Sequence, residues 1–119
     1  MNIEDFRTYC LNKKGVTESL PFGPDTLVFK VMNKMFAVCG LERTPTQVNL
    51  KCDPDRSEEL RAEYDGLIIP GWHMNKHHWN TVMIEDALPP TLVVELIDHS
   101  YELIVASLTK KLQAEWAAL

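Results

Sequence analysis

Apolar and polar positions along this chain follow two different periods, and each change of period marks an element. Ile3, Phe6 and Cys10 fall on one stripe at helical spacing, which predicts a first helix capped by Asn2 and ended by Gly15. Val16 to Phe22 then reads as a strand, stopped by the turn-forming cluster Pro21-Phe22-Gly23-Pro24-Asp25. Leu27 to Met32 and Met35 to Leu41 are apolar runs parted by Asn33-Lys34, the signature of a two-residue β-hairpin. From Gln47 to Cys52 the alternation is strict: Val48, Leu50 and Cys52 are expected in a core, with Gln47, Asn49 and Lys51 facing water.

Asp53-Pro54 predicts the start of a short helix, since aspartate caps and proline suits the first helical position, and Gly66 stops it. Leu67 to Trp72 and His78 to Ile84 read as two more strands joined across Met74-Asn75-Lys76-His77, a second hairpin. Beyond Pro89-Pro90, residues such as Leu92, Leu96, Leu103 and Leu112 recur with helical period, predicting a long C-terminal helical region with a break or bend around His99-Ser100. The order αβββ(β)αββα describes an α+β fold: an antiparallel sheet of five to six strands with the helices packed on one face. With no linker or repeat, residues 1–119 are expected to form a single domain.

Charge changes this picture by making it two-sided. The net charge is −5, which taken whole disfavours a nucleic-acid partner. Residues 26–52 nevertheless carry +3 and residues 66–84 carry +1, so 7 basic against 16 acidic residues leave −9 on the remainder. The strands are the less acidic part. Three widely separated cysteines, Cys10, Cys39 and Cys52, suggest neither a disulfide framework nor a zinc site, and fit a reducing cytoplasm. An acidic start at Glu4-Asp5 and the lack of a long apolar run predict neither a leader peptide nor a membrane span.

Candidate chemistry concentrates between Pro70 and Asn80, which hold Trp72, Trp79 and three of the four histidines. His73 and His77 are four apart, yet Pro70-Gly71 argues against the helix that would align them on a metal. Cys52 is placed on the apolar side of its strand, so a nucleophilic pairing with a hairpin histidine is not expected. Glu58-Glu59 and Glu85-Asp86 read as solvated charge, and no glycine-rich phosphate loop is present. No catalytic residue, metal or cofactor is assigned. Lys30, Lys51, Lys76, His73, His78, Asn49, Asn75 and Trp79 form a different set, cations and amides with an aromatic, of the kind that contacts phosphates and base edges. The same stretch could instead wall a pocket beside Trp72, His73 and Trp79 for a small molecule or a protein partner.

Several segments, in order, carry a family likeness: Leu20-Pro21-Phe22-Gly23-Pro24-Asp25-Thr26, Val28-Phe29-Lys30-Val31, Lys34-Met35-Phe36-Ala37, Asn49-Leu50-Lys51-Cys52, Pro70 to Lys76, His78 to Val82, and His99-Ser100-Tyr101. With these the chain resembles the MmcQ/YjbR family of small bacterial proteins, whose fold is similar to CyaY. One departure is Trp72, where the family often has tyrosine. The resemblance implies DNA binding through a "double-wing" pair of β-hairpins, and no settled catalytic activity or cofactor. Carried onto this chain, the wings are the hairpins around Asn33-Lys34 and Asn75-Lys76. The expectation is a monomeric, cytoplasmic, non-enzymatic domain that binds DNA through Lys30, Lys34, Asn49, Lys51, His73, Asn75, Lys76, His78 and Trp79, with the pocket as the alternative.

Overall fold

Asn2 opens the first helix, α1 (Ile3–Leu11), by accepting a hydrogen bond from the Asp5 N–H at 2.8 Å, and the chain reverses at Gly15, whose φ of +72° suits only glycine without strain. Three strands follow by hairpins: β1 (Val16–Ser19), β2 (Thr26–Val31) and β3 (Lys34–Gly40), with β4 (Gln47–Lys51) alongside. Then come α2 (Pro54–Glu63), β5 (Ile68–Pro70), β6 (Trp79–Met83), α3 (Pro90–Ser107) and α4 (Lys110–Ala117). All strand pairs are antiparallel, in the order β1-β2-β3-β4-β6-β5, so the predicted α+β architecture is the observed one. This computed structural model describes residues 1–85 and 87–119. Asp86, half of the Glu85-Asp86 pair, lies outside the described residues.

One face of the sheet meets the helices. Phe29, Phe36, Val48, Leu50 and Val82 are buried there against Phe6 of α1, Leu60 of α2 and Ile97 of α3, in a single cluster. Phe6 meets Phe29 edge to face at 5.7 Å, an arrangement worth about 0.5–1.5 kcal/mol beyond area burial.

Three local expectations need correction. The tip of the first hairpin is Met32-Asn33, with φ of 46° and 66°, and Val31 faces Lys34 directly; the predicted tip Asn33-Lys34 is one residue late. Asparagine tolerates the left-handed region, but a two-residue hairpin needs two such positions, and the ladder places the other on Met32. The C-terminal helix is not broken at His99-Ser100, where α3 runs on without interruption. Ser100 is buried against the sheet, where its hydroxyl donates to the Phe36 carbonyl at 2.5 Å and accepts from the Lys51 N–H at 2.9 Å, pinning α3 in mid-course. The break comes at Leu108, after which the Thr109 hydroxyl caps α4 by accepting from the Leu112 N–H at 3.2 Å. Finally, the strand predicted for Leu67 to Trp72 ends at Pro70, because the Trp72 N–H turns to the side chain of Thr81 at 3.0 Å rather than to a backbone carbonyl.

Candidate functional site

The second face of the sheet carries Val28 on β2, Val38 on β3, Asn49 on β4 and Thr81 on β6, facing one another in register across four strands. Alternation correctly puts Asn49 opposite Val48 and Leu50. Water is the part that fails, because Asn49 is fully buried. The 71–78 segment between β5 and β6 folds back over this row and covers it. Asn49 Nδ2 donates to the Trp72 carbonyl at 2.9 Å, Thr81 Oγ1 donates to Asn49 Oδ1 at 2.6 Å, and Thr81 Oγ1 accepts from the Trp72 N–H. Both backbone polar groups of Trp72 are thus held by a buried side-chain pair.

Further ties secure the ends of the segment. Gly71 lets the chain pass close to β6: a Cβ there would lie 3.0 Å from the carbonyl oxygen of Trp79, tighter than ordinary contact. Arg61 of α2 donates to Asn80 Oδ1 at 2.8 Å and to the carbonyls of Trp79, at 3.2 Å, and Lys76. Asn75 Oδ1 accepts from the His77 N–H at 2.9 Å, forming a turn. His73 takes a φ of 54°, a region that non-glycine residues adopt at some cost and that clusters at functional sites.

Held in this way, Trp72, His73 and Met74 form one wall of a cavity of about 380 Å³ whose other sides are Phe22, Thr26, Met35 and Val38. Phe22 stands at its rim, 65% exposed, on the loop between β1 and β2. A second, more polar cavity of about 200 Å³ shares Thr26, Trp72 and His73 with the first and adds Asp25, Gly40, Glu42 and Arg43. The Arg43 guanidinium carbon lies 4.3 Å from the centre of the Trp72 ring, a cation–π stack. Trp72 Nε1 is the only buried side-chain nitrogen or oxygen without a hydrogen-bond partner among the described residues. A larger open groove of about 650 Å³ runs between α3 and α4, beside Tyr101, Val105 and Trp116.

The structure therefore separates the residues singled out from sequence. Lys34 is exposed beside the first hairpin tip, while Lys30 and Lys51 are half-buried on the second face. Asn75, Lys76 and His78 are exposed on the 71–78 segment, where the Lys76 ammonium donates to the Gly71 carbonyl at 3.2 Å. Trp79 is 9% exposed and, unlike Trp72 and His73, is not part of the pocket wall. Cys52 is buried, and desolvation pushes its thiol above the ordinary range, which keeps it protonated. Phe22, Thr26, Met35, Val38, Met74 and Arg43 were not foreseen as site residues. The available signal was the second face of β2 and β3, where Val28 and Val38 put apolar side chains opposite the helix-covered side.

Comparison with known proteins agrees with this architecture. The YjbR family model matches residues 11–103. Uncharacterized protein YbdF of Escherichia coli O157:H7 is 39% identical over 91 residues, covering 76% of this chain and 74% of that one. Uncharacterized protein YjbR of Escherichia coli K12 is 31% identical over 102 residues, covering 86% of each. Among solved structures, Deinococcus radiodurans protein DR2400, a DUF419 domain, superposes with a TM-score of 0.92 at 36% identity, over 98% of this chain and 88% of that one. A Pseudomonas syringae protein superposes with a TM-score of 0.75 at 29% identity, over 87% of this chain and 98% of that one. By the family match and these relatives, the chain belongs to the YjbR family.

Proposed function

We propose that this protein is a binding module whose ligand is a small molecule with a flat apolar body, seated between the second face of the sheet and the Trp72–Met74 wall. One observation carries the reading. A sheet face that alternation marks as wet is instead apolar at Val28 and Val38, covered by a segment latched through Asn49 and Thr81, and hollowed into a cavity beside Val38. Its volume, about 380 Å³, lies within the range of small-molecule sites, and its lining of thioether, aromatic and a few polar groups is typical of them. The latch and the Arg61 ties hold the wall through bonds within the protein itself, so little ordering would be needed on binding. A ligand-observed NMR screen of planar apolar fragments tests this, with Val38→Phe as the control that fills the floor. Fragments that bind the parent protein and lose affinity for Val38→Phe support the reading; equal binding to both overturns it.

A second reading, DNA binding through the two hairpins, is favoured by one feature. Met32-Asn33 and the 71–78 segment lie at the same end of the sheet, as the pairings Val31 with Lys34 and Lys51 with Trp79 require. Lys34, Asn75, Lys76 and His78 are exposed, with Lys30 and Lys51 half-buried toward the same end; His73 lies instead beside Thr26 and Gly40 at the other end of β2 and β3, and Asn49 and Trp79 are buried and would not reach a groove. Fluorescence anisotropy with pooled duplexes at two salt concentrations tests it, since log affinity should fall by roughly 0.9 per phosphate contact for each decade of salt. Failure to bind at the lower salt removes this reading.

A further inference from the structure

The polar cavity beside the pocket contains charges that the fold leaves unused. Arg43, Asp25 and Glu42 all line it, and none forms an ion pair with another described residue. Arg43, Asp25 and Glu42 are exposed at the mouth of this cavity, and Arg43 is held in place there. Its side chain crosses directly over Gly40, where an added Cβ would lie 2.8 Å from Cδ and 3.1 Å from Nε, and its guanidinium then stacks on Trp72. Gly40 has ordinary backbone angles, so space for Arg43 is what its missing side chain provides.

A guanidinium fixed in this way presents a planar fork of donors, the geometry that matches a carboxylate. Two carboxylates on the same cavity disfavour a multiply charged anion such as a phosphate. They favour a cation instead. The two cavities share Thr26, Trp72 and His73 and so lie side by side, an arrangement suited to a ligand with an apolar body in the larger and a charged head in the smaller.

Resting on the pocket reading above, we infer that the ligand is a free amino acid with a large apolar side chain. The side chain lies among Phe22, Met35, Val38 and Met74, the α-carboxylate meets Arg43, and the α-ammonium meets Asp25 and Glu42. A peptide end supplies only one of the two charged groups, so a free zwitterion fits best.

Isothermal titration calorimetry with L-tryptophan, L-phenylalanine and L-methionine tests this, with the matching amine and the matching deaminated acid of each, and with 3-methylindole as a body without a head. At least one amino acid should bind tenfold or more tighter than its amine and its acid. Arg43→Ala should erase the advantage over the amine while keeping that over the acid, and Gly40→Ala, which displaces Arg43 from Trp72, should reduce the same advantage. If amino acid, analogues and 3-methylindole all bind alike, the pocket reading stands and this inference falls. If nothing binds, both fall.

Discussion

Asn49→Leu removes the side chain that holds the Trp72 wall, and its cost follows from two hydrogen bonds. Leucine is close to asparagine in size, so no large cavity forms. What is lost is the donor to the Trp72 carbonyl and the acceptor for the Thr81 hydroxyl, at 2.9 and 2.6 Å, in a site with no exposure to water. A hydrogen bond contributes about 1 kcal/mol net, and a buried group left without a partner costs about 1–3 kcal/mol. Thr81 keeps its bond from the Trp72 N–H, and the 71–78 segment can lift toward solvent, so the expected loss is about 2–4 kcal/mol. For a chain of 119 residues the unfolding entropy gives about 4 °C per kcal/mol, a fall in Tm of roughly 8–16 °C. Thr81→Val should cost a similar amount. The double variant should cost about 1 kcal/mol or more below the sum, because both changes dismantle one network. Urea denaturation with a constant m-value measures all three. A change below about 0.5 kcal/mol for Asn49→Leu, the level of an ordinary surface substitution, would refute the latch.

Three more expectations follow from burial. Trp79→Ala should cost about 3–5 kcal/mol in the same assay, as for other buried large aromatics, and an unchanged Tm with altered ligand binding would show that Trp79 serves a ligand instead. Burial, and next the hydrogen bond to Asp98 at 2.6 Å, raise the Tyr9 phenol from 10.0 to about 12. Its folded value is thus above the unfolded one, so its contribution is complete below pH 10 and is lost as pH climbs toward 12; Tyr9→Phe should flatten stability across that window, and an unaltered profile contradicts the assignment. Burial pushes the Cys39 thiol up to about 12 and raises Cys10 and Cys52 as well, so iodoacetamide at neutral pH should modify none of the three until denaturant is added; labelling faster than global unfolding contradicts this.

The fold was legible in sequence wherever its determinants are local. Asn2 and Asp53 cap the predicted helices, and Val48, Leu50 and Cys52 enter the core as their alternation requires. The site was not legible in the same way. Alternation tells which side of a strand a residue takes, not what lies over that side, and Asn49 is covered by a segment more than twenty residues downstream. The Arg43–Trp72 stack joins residues 29 positions apart, with Gly40 as its floor, and no periodicity records such a contact. Ser100 shows the same effect: a polar pair suggested a bend, while the tertiary bonds to Phe36 and Lys51 keep the helix running.

The proposed ligand enters beside Trp72. The chain has three tryptophans, Trp72, Trp79 and Trp116, and so three indole N–H signals in a ¹H–¹⁵N correlation spectrum. Trp72 Nε1 has no acceptor among the described residues, whereas Trp116 Nε1 donates to the Tyr101 hydroxyl at 2.8 Å beside the α3–α4 groove. Titration with 3-methylindole and with the amino acids should shift the Trp72 indole signal together with the amides of Val38, His73 and Met74, and leave that of Trp116 in place. Shifts confined to Trp116, or none with any probe at saturating concentration, would rule out a ligand site beside Trp72.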